Sequence, residues 1–448
     1  MRKRVKIVQK KVRNKHAIRR SHNKMNDYIE KERELPIKKS VDVLVAGSGP
    51  AGVGAAIAAG REGVKTLLIE RSGCIGGMST VGLMSHFTGT VDCKLYAEVL
   101  ERQRDEENRD KAWEYINPEA LQIVYLKMLK EAGVEVLLYT MIVDVICENE
   151  TVKGVIIESK NGREVILAKR IVDGTGDGDV AAKAGVKYSI GRKSDGKMQP
   201  ATLMFKVGGV DYERAVFPGS FETLVNTAKG ELQSLARKQL TAPMGHVLLY
   251  RTSVPGVVTV NMTNATDIDG TKTEELTKAK IETQLQTSEI VKFLREFVPG
   301  YEKCYLLETA ELIGIRETRH FDGEKVLTED DIRDARFFGD WVVKGAYFNF
   351  DVHNLDGAGL DKTGAQKHFE QKNGYTIPYG CLVPKKIENL LLSGRNISGT
   401  HMAHSNFRAM PICLATGFSA GIAAALSVKE DIRIRDVDVN EIQKIYSE

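Results

Sequence analysis

At 448 residues, 42% hydrophobic and 28% charged, the chain is long enough for two domains, or for one split by an insertion. Its composition is that of a soluble globular protein and excludes a disordered or fibrous one. Six scattered cysteines, none in a Cys-x-x-Cys pair, argue against a disulfide framework and against a zinc or iron–sulfur site, so no metal is expected.

The net charge of +4 is unevenly spread. Residues 1–40 hold fifteen Lys/Arg against four Asp/Glu, which leaves residues 41–448 net acidic at −7. A basic arm of this kind can bind nucleic acid or an anionic surface. Its apolar residues are sparse and no aromatic residue precedes Tyr28, so a solvated extension is the simpler reading. No secretory leader is visible, and a cytoplasmic location is expected.

Residues 41–80 organise the rest. The apolar, β-branched run 41–46 reads as a buried parallel strand. Gly47-x-Gly49-x-x-Gly52 follows directly, with Pro50 and Ala51 inside it, and a small-residue helix covers 55–60. A second buried strand, 64–69, ends in Glu70, 23 residues after Gly47. Strand, glycine turn, helix, strand and acid together make the βαβ dinucleotide fingerprint. Gly47 makes the tight turn, Gly49 lets backbone N–H groups approach a pyrophosphate, and Gly52 brings helix and sheet together. The helix N-terminus favours the phosphates, and Glu70 can accept from ribose hydroxyls.

The fingerprint alone does not separate a nicotinamide from a flavin dinucleotide. Arg71 and the second glycine turn Gly76-Gly77-Met78-Ser79-Thr80 do help, because a nicotinamide site has no need of that turn. With these residues the sequence resembles the FAD-dependent oxidoreductases that include the flavin part of the heterodisulfide reductase A subunit. It is more distantly similar to fumarate reductase flavoproteins and to the flavoproteins that modify tRNA. The resemblance implies an FAD-binding, Rossmann-like α/β domain of the glutathione-reductase type, a parallel sheet plus β-meander, with an inserted α+β cap. The iron–sulfur clusters of some relatives are not implied, since clustered cysteines are missing.

The stretch 81–89 would run beside the flavin, so His86 is a candidate for facing substrate. Asn117-Pro118 starts a helix that Gly133 stops. Strands are expected at 134–138 and 142–147, and 152–159 and 165–172 read as a hairpin around a type I′ turn at Asn161-Gly162. The resemblance places the backbone of Ile142 against the adenine. It also makes 173–179, Asp-Gly174-Thr175-Gly176-Asp177-Gly-Asp, a second FAD turn. Its acids suggest calcium, but Ala184 stands where a ligating Glu belongs.

From about residue 195 strands and helices stop alternating. Strands are expected at 202–207, 246–250, 257–261, 303–313 and 346–352, and helices at 272–297 and from Thr328, where Thr328-x-x-Asp331 is a capping box. Arg316, Glu317 and Arg319 read either as an interdomain ion cluster or as substrate ligands. The expected divisions are a basic extension 1–40, an FAD domain 41–195 plus 373–428, a cap 196–372 and a helical tail 429–448.

Leu390 to Asn396 is a last strand and turn. The glutathione-reductase type carries an acid after Gly394 for the ribitol, whereas this chain has Arg395. Residues 409–428 are an uncharged run in which Pro411 opens a helix through Gly417, long enough to span a bilayer but with the small residues of a helix buried on a cofactor. By resemblance its N-terminus aims at the flavin pyrimidine, with Arg408 just before it as a cation for the reduced ring. His401 and His404, on the loop leading there, are candidate bases. The expectation is an FAD oxidoreductase moving a hydride between a small polar substrate and flavin N5. The alternatives are a flavin-dependent RNA-modifying enzyme that uses the basic arm, and a flavin module passing electrons to a protein partner.

Overall fold

The computed structural model describes Glu30 and residues 32–110, 115–361 and 370–448. Most of the basic arm, and the nucleic-acid reading attached to it, lies outside the described residues.

The main sheet forms where the sequence is apolar without interruption. Strand β1 (Ile37–Ala46) pairs in parallel with β2 (Thr66–Ile69), which pairs with β3 (Glu135–Leu137). Val43 to Ala46 and Leu67 to Ile69 are at most 1% exposed, as expected of strands covered on both faces. The strand starts four residues before the expected boundary at 41, because Ile37 to Ser40 already pair with the next strand of the sheet.

Beyond β1 the meander appears: β4 (Met141–Glu148), β5 (Thr151–Ser159) and β6 (Gly162–Asp173) run antiparallel in turn, and β6 lies parallel to β1. The far edge of β6 is shared. Its first half pairs with β5, and Ile171 to Asp173 pair in parallel with β7 (Leu390–Leu392). The expected type I′ turn is elsewhere. Between β5 and β6 only Gly162 has positive φ, at 88°, so Asn161-Gly162 is not the pair of left-handed residues that a type I′ turn needs. Asn149 and Glu150, with φ of 48° and 60°, form the I′ turn between β4 and β5.

Helix α1 (Pro50–Arg61) crosses against α6 (Met410–Lys429), the long apolar helix. Two glycine-studded faces meet here: a Cβ on Gly417 would stand 1.9 Å from Ala51 O, and one on Gly421 would stand 2.2 Å from Ala55 O. The segment of α6 apolar enough to cross a membrane is 94% buried in the core. Helix α2 (Pro118–Glu131) starts as read, with Asn117 capping the Glu119 N–H at 3.2 Å. Helix α3 (Asp179–Ala184) follows the β6 turn.

The cap has its own core. Strands Leu249–Arg251, Val258–Val260, Phe205–Gly208 and Tyr305–Thr309 form one antiparallel sheet in that order. Helix α4 (Thr273–Phe297) packs Ile290, Phe293 and Leu294 on it with Phe205, Val207 and Val260. The Thr328–Asp331 capping box forms, on a five-residue helix. The expected strand 346–352 is Trp341–Tyr347, and it pairs with Tyr375–Pro378 and Thr90–Asp92 rather than with the cap sheet. Phe321, Leu327, Val342, Val343 and Ala346 therefore share the large core with α6, as do Ile434, Ile442 and Tyr446 of the C-terminal tail. The separate cap core ends well before residue 372.

Candidate active site

Three backbone turns stack at the carboxyl ends of β1 and β6. Gly47 has φ 83°, and a Cβ there would meet Gly174 O at 2.8 Å. A Cβ on Gly52 would lie 1.8 Å from Gly47 O, and one on Gly174 would lie 3.0 Å from Gly52 Cα. These three glycines are required by backbone packing. Gly49 is different: a Cβ there meets nothing within 4 Å, so its open face belongs to whatever fills the site. The 76–80 turn is tied on by Gly76 N–H donating to Ser48 O at 2.8 Å.

The acid after β2 is already engaged. Glu70 accepts from Ser48 N–H at 2.9 Å, Ser48 Oγ–H at 2.8 Å and Ser72 N–H at 2.8 Å. With about four acceptor positions on a carboxylate, it has one left for a ribose hydroxyl, not a pair. Asp173, fully buried below the second turn, is held by Thr175 and by Ala181 N–H. Burial pushes its carboxyl up to about 6, against those hydrogen bonds. Asp177 binds Arg395 at 2.8 Å and accepts from Thr318 Oγ–H at 2.8 Å. The arginine that replaces the expected ribitol acid thus pairs with a carboxylate brought in by the β6 turn.

These turns open onto a cavity of about 1200 Å³. Gly47, Gly49, Pro50, Ala51, Glu70, Arg71, Gly77, Met78 and Ile142 line it. So do Gly174, Thr175, Gly176, Asp177, Gly394, Arg395, His86 and Arg408. Gly52, Gly76, Ser79, Thr80, Pro411 and Gly417 are not on its wall. They set the backbone behind it, as when Ser79 Oγ–H donates to Gly76 O at 2.7 Å.

The two candidate bases are displaced. His401 and His404 sit on helix α5 (His401–Phe407), not on a loop, and neither lines the cavity. His401 Nδ1 lies 2.5 Å and His320 Nε2 2.7 Å from the same oxygen of Glu317. His404 is 1% exposed, edge-on to His320, and burial holds it well below its ordinary pKa. Burial opposes the charge on Glu317, but the hydrogen bonds from His320 and His401 outweigh it and keep the carboxyl strongly acidic. Arg316, Glu317 and Arg319 do not form one ion cluster. Arg319 pairs with Asp179 at 2.9 Å, Glu317 turns to the histidines, and Arg316 faces the cavity.

Residues that sequence reasoning missed complete the far wall: Tyr250, Asn261, Asp351 and His353. His86 packs on Tyr250 at 5.0 Å, with Nδ1 on Ser85 Oγ at 2.8 Å. Burial lowers the His86 pKa and pushes the Tyr250 phenol up to about 12. Asp351 sits between Arg408, at 2.7 Å, and His353, at 3.3 Å. Burial lowers His353 to about 4, while His353 and Arg408 hold Asp351 well below the usual carboxylate range despite its burial. Arg408 is therefore not the free cation expected beside α6.

A βαβ glycine cradle, a second glycine turn and a polar far wall define a dinucleotide-dependent redox protein. The chain belongs to the FAD dependent oxidoreductase family, whose model matches residues 42–445. Its cofactor is FAD, and the open face at Gly49 and the remaining acceptor position of Glu70 fit it. The chain is 32% identical over 123 residues to the thiamine thiazole synthase of Aeropyrum pernix, a match covering 26% of this chain and 43% of that relative. It spans less than half the length of that relative. Among solved structures it is similar to a geranylgeranyl bacteriochlorophyll reductase-like protein of Thermoplasma acidophilum (TM-score 0.49, 17% identity, 91% and 82% of the two chains). It is also similar to p-nitrophenol 4-monooxygenase of Pseudomonas putida (TM-score 0.48, 11% identity, 91% and 84%).

Proposed function

We propose that this oxidoreductase moves a hydride between a carbon of a small polar substrate and the N5 atom of its FAD. One observation carries the reading: the three glycine turns and a polar wall contributed largely by the cap open onto a single cavity. Bound there, FAD supplies the two-electron chemistry, and the protein positions and tunes it. Gly47 to Gly52 and the start of α1 would hold the pyrophosphate, Glu70 a ribose hydroxyl, and the backbone of Ile142 the adenine. Asp177 and Arg395 would bracket the ribitol, and the first turn of α6 would face the pyrimidine.

His86 takes or returns the substrate's O–H or N–H proton. Burial keeps it neutral at pH 7, and with Nδ1 on Ser85 its Nε2 remains to bind a proton. Tyr250, held protonated by burial, can donate a hydrogen bond beside it. The test is anaerobic mixing of the yellow holoenzyme with a panel of alcohols, amines, hydroxy acids and sugars. At least one member should bleach the flavin, and His86→Gln should remove the acid limb of the pH–rate profile. A holoenzyme that dithionite reduces but no panel member bleaches would sink the proposal.

A further inference from the structure

Arg316 is the unusual charge of the cavity. Its backbone is fixed by a bridge in which Gly314 N–H donates to Thr202 O at 2.7 Å and Thr202 N–H donates to Gly314 O at 3.1 Å. Its side chain is anchored on one edge: Nη1 donates to Pro200 O at 2.5 Å and to Thr202 Oγ at 2.8 Å. Both anchors are neutral. Among the described residues no carboxylate lies within ion-pair distance of its guanidinium, whereas Arg395, Arg319 and Arg408 each hold one. A guanidinium has five N–H donors in a planar fork, and Arg316 spends only one of its nitrogens on the protein.

The surroundings make that lone charge costly. Burial, and then the neighbouring Arg408, lower the Arg316 pKa to about 10, so it stays charged at pH 7. Asp351 compensates from a distance but is already bound to Arg408 and His353. Arg316 is partly buried and open on its cavity side, and a partly desolvated charge without a paired partner is most favourable where a ligand supplies the partner. On the same wall the Asn261 side-chain amide is engaged by the Tyr250 hydroxyl, while its Oδ1 is buried with no hydrogen-bond partner and is open to an O–H or N–H.

We infer that the cap end of the cavity is a carboxylate subsite. Arg316 takes the substrate's carboxylate through its unused edge, and Asn261 accepts from a hydroxyl or amino group on the same molecule. The substrate class is then a small hydroxy- or amino-carboxylate. This rests on the hydride-transfer reading and narrows its substrate.

The test uses the FAD-loaded enzyme and reads binding, not turnover. Glycolate and its uncharged analogue glycolamide are titrated while the flavin absorption band and the thermal unfolding temperature are followed, with chloride and phosphate at matched ionic strength as controls. Glycolate should saturate, with glycolamide at least tenfold weaker and no saturable effect from chloride or phosphate. Arg316→Met should weaken glycolate at least tenfold with FAD content intact. Equal affinity for glycolate and glycolamide in the wild-type enzyme overturns the subsite, as does an equal response to chloride. Wild-type glycolate affinity in Arg316→Met also overturns it. Carboxylate discrimination in an enzyme that no substrate bleaches leaves the subsite standing and removes the hydride-transfer reading. Bleaching by neutral substrates alone does the reverse.

Discussion

The two ends of the cavity are built from different materials. At the dinucleotide end the wall is backbone: Gly47, Gly52 and Gly174 stand so close that a methyl group on any of them would come within 3.0 Å of another main-chain atom. At the cap end the wall is side chains: His86, Tyr250, Arg316, Asp351, His353 and Arg408, drawn from well-separated stretches. Backbone recognition leaves a local mark in a sequence, because a missing Cβ or a positive φ is needed at a fixed position. Side-chain recognition leaves none, since each residue is ordinary until the fold assembles them.

The sharpest way to break the backbone end is to fill it from behind. Gly417→Leu keeps a good helix former in α6, yet its Cβ alone would lie 1.9 Å from Ala51 O. Helix α1 must then move, and the Gly47–Gly52 turn with it. The expected loss exceeds about 4 kcal/mol, the range reserved for severe core disruption. Thermal unfolding should show little folded protein and no retained FAD. A wild-type unfolding temperature would mean that the two helices are not held at this distance.

At the side-chain end the largest single effect comes from charge. Removing Arg408 leaves Asp351, whose side chain is 21% exposed, with only His353 beside it among the described residues. Arg408→Gln should cost about 3 kcal/mol, at the low end for a broken buried pair because the site opens onto a cavity. The double variant Arg408→Gln with Asp351→Asn should recover most of it, since neither half of the pair is then left charged, and Arg316 loses the repulsion of Arg408 along with the compensation of Asp351. Urea unfolding of the three proteins reads the difference. A double variant no better than the single one would show that the pair is not the source of the cost.

Legibility followed the same division. The βαβ unit, the meander and the capping box at Thr328 were readable because each is a short-range pattern. The I′ turn was misplaced because Asn-Gly is the commoner signal, while the φ > 0 pair in the structure is Asn149-Glu150. His401 and His404 were misread because proximity to Pro411 in sequence suggested the cavity. Helix α5 turns them instead toward Glu317, a residue 84 positions away from His401. Asp351 and His353 carried no signal at all: their neighbour Arg408 is about fifty-five residues further on, and only the return of the chain from the cap brings them together.

Glu70 sharpens the comparison from the other side, being a side chain that serves the backbone end. Glu70→Ala removes the acceptor for Ser48 N–H and Ser72 N–H as well as the proposed contact to ribose. FAD affinity should fall by about 2 kcal/mol, the scale of hydrogen bonds lost from a charged group. Fluorescence titration of the apoprotein measures it. Glu70→Gln should lose less, because the amide oxygen still accepts. Equal affinities in all three proteins would take Glu70 out of dinucleotide binding.

The smallest effect at neutral pH is also the one that separates the two ends by titration. At the backbone end the group closest to neutrality is Asp173, raised to about 6 by burial, which takes up its proton more readily folded than unfolded and so adds stability as pH falls. The cap end holds His353, lowered to about 4 by burial first and then by Arg316 and Arg408, with Asp351 pulling the other way. His246, on the same side, is lowered to about 3 by burial first and then by His353 and Arg316. In the unfolded chain each returns to its ordinary value near 6.5. Below that pH the unfolded state binds protons that the folded state refuses, so stability falls as pH falls. The stability is fully present above 6.5 and, for His353, is lost down to about 4. Asp351, held below its ordinary value, begins to cost stability only as pH falls through 3.8, outside this window. His353→Gln should therefore match wild type at pH 7.5 and lose less than wild type between pH 6.5 and 4.5. Its slope should be shallower by up to about 1.4 kcal/mol per pH unit, the value for one proton. Parallel stability–pH curves for the two proteins would show that the His353 pKa is unshifted by folding, and a wild type that loses less stability than the variant would show that the group beside Asp351 is a histidinium.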